Sequence, residues 1–141
     1  MRIEITGMTY GANADGRADD GKVMFVAGGA PGDVVEVETT RETKGFREGT
    51  ITEFYEKGSP RVEAPCPFAA VCGGCPWMHL SYESQLQAKR ASVVSQLSKI
   101  GGIPKDRAEE LVGECVGSKR QLGYRNKLEL AGGRDERGLF M

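Results

Sequence analysis

The 141-residue sequence has no long hydrophobic run, and it has too few cysteines for a disulfide scaffold. Its longest apolar segments, such as residues 23–27, fall far short of the roughly 18–20 residues that a membrane-spanning helix needs. The first residues alternate apolar and polar side chains and contain no apolar core of a signal peptide. Three of the four cysteines fall in one short window, which favours reduced thiols. These absences predict a cytoplasmic protein.

The sequence also lacks an excess of charge of either sign. It contains 19 Lys and Arg against 20 Asp and Glu, a formal net charge of -1. The charge is unevenly distributed, however, with -4 on residues 1–65 and +3 on residues 66–141. A basic surface is therefore expected mainly in the second half. The apolar share of 39% and charged share of 28% exclude collagen-like and wholly disordered chains.

Residues 1–57 are predicted to form a small β-barrel. Ile3 and Ile5 alternate with polar neighbours, the period of a half-buried strand. Further strands are predicted over residues 22–27, 34–38 and 46–55, with loops over residues 13–21 and 39–45. Four or five short strands in under 60 residues favour a closed barrel, because closure removes the exposed strand edges.

Residues 58–80 are interpreted as a proline-rich linker and a cysteine loop. Residues 81–141 are predicted to contain a helix and the start of an incomplete mixed α/β domain, so the fold class is α+β. Ser81 is suited to cap the helix at its N-terminus, and Gly101-Gly102 to end it. One helix face is predicted from the spacing of Leu86, Val93, Leu97 and Ile100.

The last third of the chain is predicted to contain three further short elements. A short helix is expected over residues 104–112, a strand over residues 124–131 and a return strand from residue 138. A hairpin that has barely begun to return leaves an unpaired strand edge. The sequence is therefore expected to be part of a longer protein.

The most informative stretch contains Cys66, Cys72 and Cys75, with five and two residues between them. Gly73 and Gly74 permit the tight turn that brings two sulfur atoms onto one metal centre. A redox Cys-x-x-Cys pair normally lies at a helix N-terminus, whereas here the predicted helix starts six residues later. The spacing therefore indicates a metal or cluster site.

The nature of the metal stays open from spacing alone. His79 would complete a three-cysteine, one-histidine tetrahedron for zinc. Cys115 could instead complete an all-cysteine zinc site or an iron–sulfur cluster, and a fourth cysteine outside the chain is the remaining option.

Residues 66–89 read CPFAAVCGGCPWMHLSYESQLQAK and closely resemble the signature of the TRAM-domain RNA uracil-C5 methyltransferases. The resemblance continues upstream through residues 59–62 and downstream through residues 123–127. It implies that residues 1–57 are a TRAM domain, an OB-like barrel that helps to hold RNA. It also implies that the three clustered cysteines are ligands of a four-iron four-sulfur (4Fe-4S) cluster whose fourth ligand lies outside this chain, with Cys115 as a small core residue.

The resemblance further implies ribosomal or transfer RNA as the partner and S-adenosylmethionine as the methyl donor of the full-length parent. In that family the methyl-donor site and the nucleophilic cysteine lie C-terminal to the matching segments. No residue is therefore assigned as catalytic, and the 141-residue chain is not expected to methylate RNA by itself. The alternative is a stand-alone zinc-stabilised RNA-binding module without catalytic activity.

Cations and aromatic side chains define the candidate RNA surface. Phosphate binding needs several cations on one side, and aromatic rings stack on unpaired bases. The candidate RNA-binding residues are Lys44, Phe46, Arg47, Lys89, Arg90, Lys119, Arg120, Arg125 and Lys127.

Overall fold

A computed structural model of the chain describes residues 1–127, 129, 132–136 and 138–140. Five strands come first: β1 (Arg2–Met8), β2 (Asn13–Arg17), β3 (Val23–Ala27), β4 (Val34–Glu42) and β5 (Phe46–Glu56). Three helices and a two-stranded hairpin follow: α1 (Ala69–Cys72), α2 (Tyr82–Lys99), α3 (Lys105–Leu111), β6 (Gly133–Asp135) and β7 (Gly138–Phe140). In these residues no helix combines the length and the apolar character that crossing a bilayer requires.

The first five strands form a closed barrel in the order β1-β2-β3-β5-β4. Its neighbouring strands are antiparallel except β3 and β5, which are parallel. Alternate residues of β1 to β4 point inward, because successive side chains of a strand face opposite sides. The resulting core consists of Ile3, Ile5, Ala14, Met24, Val26, Val35 and Val37. The predicted barrel and the α+β class are confirmed.

The predicted loop over residues 13–21 is wrong at its start, because residues 13–17 form strand β2. Ala14 and Gly16 of this strand are buried, while Arg17 is exposed. A Cβ atom at Gly16 would lie 2.4 Å from the carbonyl oxygen of Glu4. The small inward residues of β2 therefore allow β1 to approach closely. Because residues 13–17 are rich in Asn, Asp and Gly, their composition resembles that of a loop. The predicted loop over residues 39–45 is also too long, since β4 continues to Glu42.

Helix α2 begins and ends as predicted. The Ser81 hydroxyl accepts a hydrogen bond from the Ser84 N–H at 3.3 Å, an N-cap contact. At the other end Gly102 has a φ of +68°, a left-handed conformation that favours glycine. The Ile103 N–H then donates to the Leu97 carbonyl at 3.1 Å and turns the chain toward α3.

The predicted apolar face of α2 is wrong in part. Val94 is the buried residue of the helix, whereas Val93 is 48% exposed and Ile100 is 84% exposed. Leu86 and Leu97 are half-buried. Alanine and serine occupy many of the remaining helix positions, so apolar spacing carries little information about which side is covered.

The short helix predicted over residues 104–112 is confirmed as α3. The strand predicted over residues 124–131 is wrong for residues 124–127, which are irregular, and residues 128, 130 and 131 lie outside the described residues. The predicted return strand is present as β7, but it pairs with β6, with Gly133 opposite Phe140. The hairpin is thus local, because its two short strands are separated by only two residues.

Candidate functional site

The barrel is joined to the cysteine loop through the buried carboxylate of Asp33. Its Oδ1 accepts hydrogen bonds from the Gly58 N–H at 2.8 Å and from Arg61 Nε at 3.2 Å. Its Oδ2 accepts one from the Ala30 N–H at 2.7 Å and forms an ion pair with Arg61 Nη2. Arg61 Nη2 also donates to the Gly28 carbonyl at 2.8 Å. One carboxylate therefore fixes both the turn before β4 and the segment that leaves the barrel.

The environment of Asp33 keeps it ionised. Burial alone would raise its pKa, but the hydrogen bonds from Arg61, Gly58 and Ala30 outweigh burial and hold the pKa below the ordinary value. The guanidinium of Arg61 also lies 4.8 Å from the ring centroid of Phe54. The guanidinium of Arg61 contacts the Asp33 carboxylate through two of its nitrogens and also contacts the Phe54 ring. These contacts define its orientation.

The two ends of the cysteine loop meet beside this ion pair. Arg61 and Leu80 form an antiparallel bridge, and Leu80 is buried. The bridge is extended by hydrogen bonds from the Val62 N–H to the His79 carbonyl and from the Ser81 N–H to the Pro60 carbonyl, both 2.8 Å. Residues 63–78 therefore leave and return at one point on the barrel wall.

His79 contacts the barrel through its side chain. Its Nε2 lies 2.9 Å from the carbonyl oxygen of Gly29. Because a carbonyl can only accept, this geometry places a proton on Nε2. The described structure thus uses His79 to dock the cysteine loop, and zinc ligation by this residue would have to use its other ring nitrogen or break this contact.

All four cysteines are free thiols. Cys72 and Cys75 are exposed, while Cys66 and Cys115 are half-buried. Cys72 ends the short helix α1, which sequence reasoning missed, and Gly73 follows it with a φ of +70°. The loop therefore presents two accessible thiols on either side of a glycine turn.

The donor chemistry of Cys66, Cys72 and Cys75 fits a thiolate-bound metal centre, since three thiols on one glycine-containing loop are soft ligands for zinc or iron. Within the described part of the chain, however, no three His, Cys, Asp or Glu side chains lie close enough together to hold a metal ion. The three thiols would have to converge when a metal binds.

The candidate RNA residues of the barrel lie at the hairpin between β4 and β5. Lys44 is exposed, and Phe46 packs on Phe25 with ring centroids 5.5 Å apart. Arg47 forms ion pairs with Asp20 at 2.8 Å and with Glu42 at 3.0 Å, and its side chain is only 13% exposed. Arg47 therefore holds two barrel segments together.

The hydrogen bonds within that cluster shift its pKa values in the expected directions. Hydrogen bonds to Asp20 and Glu42 raise the pKa of Arg47. The hydrogen bond from Arg47 likewise lowers the pKa of Asp20, and hydrogen bonds from Lys22 and then Arg47 lower that of Glu42. The charges of this cluster compensate one another within the barrel.

The two candidate cations on α2 differ in their surroundings. Lys89 is exposed. Arg90 donates from Nε to the Val112 carbonyl at 3.0 Å and from Nη2 to the Glu109 carbonyl at 2.7 Å. These carbonyls belong to the C-terminal end of α3, where no backbone partner is available. Arg90 therefore joins α2 to α3.

The remaining candidate cations lie in the irregular segment after α3. The Tyr82 hydroxyl accepts a hydrogen bond from the Ser118 N–H at 2.7 Å and attaches the start of this segment to α2. Lys127 pairs with Glu129 at 2.7 Å, both exposed. Lys119, Arg120 and Arg125 are exposed and have no ion pair within the part of the chain that the structure describes.

The nine candidates belong to different elements of the structure. They lie at three locations: the β4–β5 hairpin, α2 and the segment after α3. Sequence reasoning also missed the pair of Asp33 and Arg61, which are 28 positions apart. The available signal was a carboxylate in a Pro-Gly-Asp turn directly before an apolar strand, a position at which turn amides need an acceptor.

Residues 1–52 match the TRAM domain family. Along nearly its whole length the chain is similar to a protein named an uncharacterized RNA methyltransferase of Gloeobacter violaceus, with 39% identity over 138 residues, 98% of this chain and 29% of that relative. Similarly named relatives are those of Porphyromonas gingivalis (38% identity; 90% of this chain and 26% of the relative) and Caldanaerobacter subterraneus (41%; 84% and 25%). The chain spans less than a third of the length of these curated relatives.

Among solved structures, the chain is similar to the Pyrococcus abyssi tRNA (uracil-54, C5)-methyltransferase in complex with S-adenosyl-L-homocysteine. The sequences are 23% identical, and the match covers 68% of this chain and 21% of that one, with a TM-score of 0.44.

Proposed function

We propose, from the premise that residues 1–52 are a TRAM domain, that this chain is the RNA-binding N-terminal portion of an S-adenosylmethionine-dependent RNA uracil-C5 methyltransferase. The observation that carries the proposal is that 98% of the chain, through barrel, cysteine loop and helices together, aligns with a relative named an RNA methyltransferase. The assignment to uracil C5 is supported by the motif of residues 66–89. Ribosomal and transfer RNA are the expected substrates.

The charge distribution supports RNA as the partner. Lys44, Lys89, Lys119, Arg120 and Arg125 are exposed and available to phosphates. Arg47 and Arg90 have barrel and helix partners, so the proposal depends on the exposed cations rather than on these two. Accessible cations supply most of the affinity for a nucleic-acid backbone.

The methyltransferase assignment is tested by deleting the gene that encodes this chain and measuring modified nucleosides. Ribosomal and transfer RNA are purified separately and digested, and 5-methyluridine is quantified by mass spectrometry. We expect its content to fall in one of the two fractions and to return when the intact gene is restored. Unchanged 5-methyluridine in both fractions would refute the assignment.

We further propose that Cys66, Cys72 and Cys75 hold a 4Fe-4S cluster, with a fourth ligand from outside this trio. Support comes from the three free thiols, the exposure of two of them, and the glycine turn between them. When bound, the cluster would supply a rigid, redox-capable inorganic centre that cross-links the loop. Cysteine ligands must be reduced, in keeping with the expected cytoplasmic location.

The metal is identified by purifying the full-length protein without oxygen and measuring its optical absorption and its elemental composition. An iron–sulfur cluster gives a brown protein with iron and sulfide, whereas a zinc site gives a colourless protein with zinc. Cys72→Ser should lower the bound metal substantially, and Cys115→Ser should leave it unchanged. Equal metal loss in both variants, or zinc in the wild type, would contradict the cluster assignment.

A further inference from the structure

A groove of about 330 Å³ lies beside the cysteine loop. It is formed by the turn after β1, the end of the cysteine loop and the middle of α2. Its principal lining residues are Tyr10, Trp77, Lys89, Ser92, Val93 and Gln96. The volume lies at the lower end of the range for small-molecule pockets.

Trp77 lines the groove, but its indole nitrogen does not open into it. The Nε1–H of Trp77 is inaccessible to solvent and has no hydrogen-bond acceptor within the described residues. A ligand in the groove therefore meets the apolar part of the indole and not its N–H. The groove also leaves large side chains uncovered, since Tyr10 is 85% exposed and Val93 is 48% exposed.

The lining suits a flat ring that is joined to an anion. Aromatic rings and an aliphatic side chain offer a flat ring an apolar surface to pack on. Lys89, on the rim, supplies a positive charge for an attached phosphate. Nucleobases in single-stranded RNA meet this description, because each carries a π face, hydrogen-bonding edges and a neighbouring phosphate.

We infer that this groove binds one unpaired nucleobase of the RNA strand, which lies against Tyr10 and Trp77 while its adjoining phosphate contacts Lys89. The inference rests on the proposed RNA-binding function and specifies where one base of the strand is bound. It places base contact at the junction of barrel and cysteine loop.

The only tryptophan of the chain lies in the groove, so its fluorescence reports directly on occupancy. The reduced 141-residue chain is titrated with an oligouridylate of about eight nucleotides, within the site size of a single-strand-binding barrel. The matched probe is an abasic ribose-phosphate strand of the same length and charge. We expect saturable quenching of Trp77 emission by the oligouridylate and unchanged emission with the abasic strand. Binding of each strand is followed separately by the fluorescence anisotropy of a dye attached to its end.

Variants separate the groove from the rest of the surface. Tyr10→Ala removes an exposed ring and should weaken oligouridylate binding by on the order of 5-fold to 100-fold, the range for losing one stacked base. The control is Tyr55→Ala, since Tyr55 contacts Glu36 and Arg2 and does not line the groove. The control should leave both the affinity and the quenching unchanged.

The outcomes distinguish this inference from the function on which it rests. If the oligouridylate binds with unchanged Trp77 emission, or if the two tyrosine variants weaken it equally, the groove is not a base site and the proposed function stands. If neither strand binds, RNA binding by this chain is refuted and the inference with it.

Discussion

Replacing Asp33 by Asn tests whether one buried carboxylate holds the barrel and the cysteine loop together. The substitution keeps the size of the side chain and removes its charge. In the wild type the carboxylate accepts hydrogen bonds from Arg61, Gly58 and Ala30. An amide has only one oxygen, and each oxygen of Asp33 has two donors, one of them on Arg61. The NH₂ group of Asn would therefore face two donors in either orientation. The charge of Arg61 would also lose its partner.

The structure sets the size of the effect. Removing one member of a buried ion pair costs about 3–5 kcal/mol. The Asp33 side chain is fully buried and that of Arg61 is 17% exposed, so water partly compensates Arg61. The retained amide oxygen preserves part of the hydrogen bonding, which places the loss in the free energy of unfolding at about 2–3 kcal/mol. For a chain of 141 residues the unfolding entropy is about 0.3 kcal/mol per degree, so the Tm should fall by about 7–10 °C.

Thermal unfolding followed by circular dichroism at neutral pH measures this difference, with Asp19→Asn, an exposed carboxylate of the same barrel, as the control. The pKa of folded Asp33 lies below the ordinary value of 3.8, so its contribution is fully present above the unfolded pKa. It is lost as the pH falls through the lowered folded pKa. The Tm difference should therefore be complete above about pH 5 and shrink below about pH 4. A Tm for Asp33→Asn within about 2 °C of the wild type at pH 7 would refute the reasoning.

Two further predictions use pairs of matched variants. Gly16→Ala should lower the free energy of unfolding by about 1–3 kcal/mol in urea titration, because its Cβ would lie 2.4 Å from the Glu4 carbonyl, whereas Gly45→Ala meets no atom within 4 Å and should be tolerated. Similar values for the two variants would contradict the close packing of β1 on β2. Arg90→Gln should reduce stability by about 1–2 kcal/mol through loss of its two α3 carbonyl contacts and leave the salt dependence of RNA binding unchanged. Lys89→Gln should leave stability unchanged and reduce the steepness of log K plotted against log salt concentration by about 0.7. If Lys89→Gln instead lowers stability and leaves this slope unchanged, the assignment of Lys89 to RNA and of Arg90 to the fold is wrong.

The sequence predicts those barrel strands whose buried positions carry large apolar side chains. Residues such as Ile3, Ile5 and Val37 alternate with polar neighbours, and their strands were predicted. Strand β2 was missed because its buried positions are Ala14 and Gly16, which are too small to produce a hydrophobic period. The capped ends of α2 were predicted because capping depends on local sequence, whereas its buried side depends on what packs against it.

The sequence predicts which residue types the candidate site contains, but it does not predict which residues contact one another. Sequence shows that Arg47 and Arg90 are cations, but only the fold shows that one binds two barrel carboxylates and the other two helix carbonyls. The contact between Asp33 and Arg61 is equally invisible locally, since it joins residues 28 positions apart. The role of the cysteine cluster as a metal centre stays a prediction.

The parallel pairing of β3 with β5 has a consequence for synthesis of the chain. These strands pair from Val23 opposite Phe46 to Val26 opposite Gly49, so the second edge of β3 has no partner until the fifth strand has emerged from the ribosome. Until then β3 and β4 both present open edges to other nascent chains, and such edges promote aggregation. Arg61 leaves the ribosome only after β5, so the carboxylate of Asp33 has no counter-ion until the last strand of the barrel has emerged. A translational pause that keeps β5 inside the ribosome would therefore expose this protein more than a pause after Arg61 has emerged.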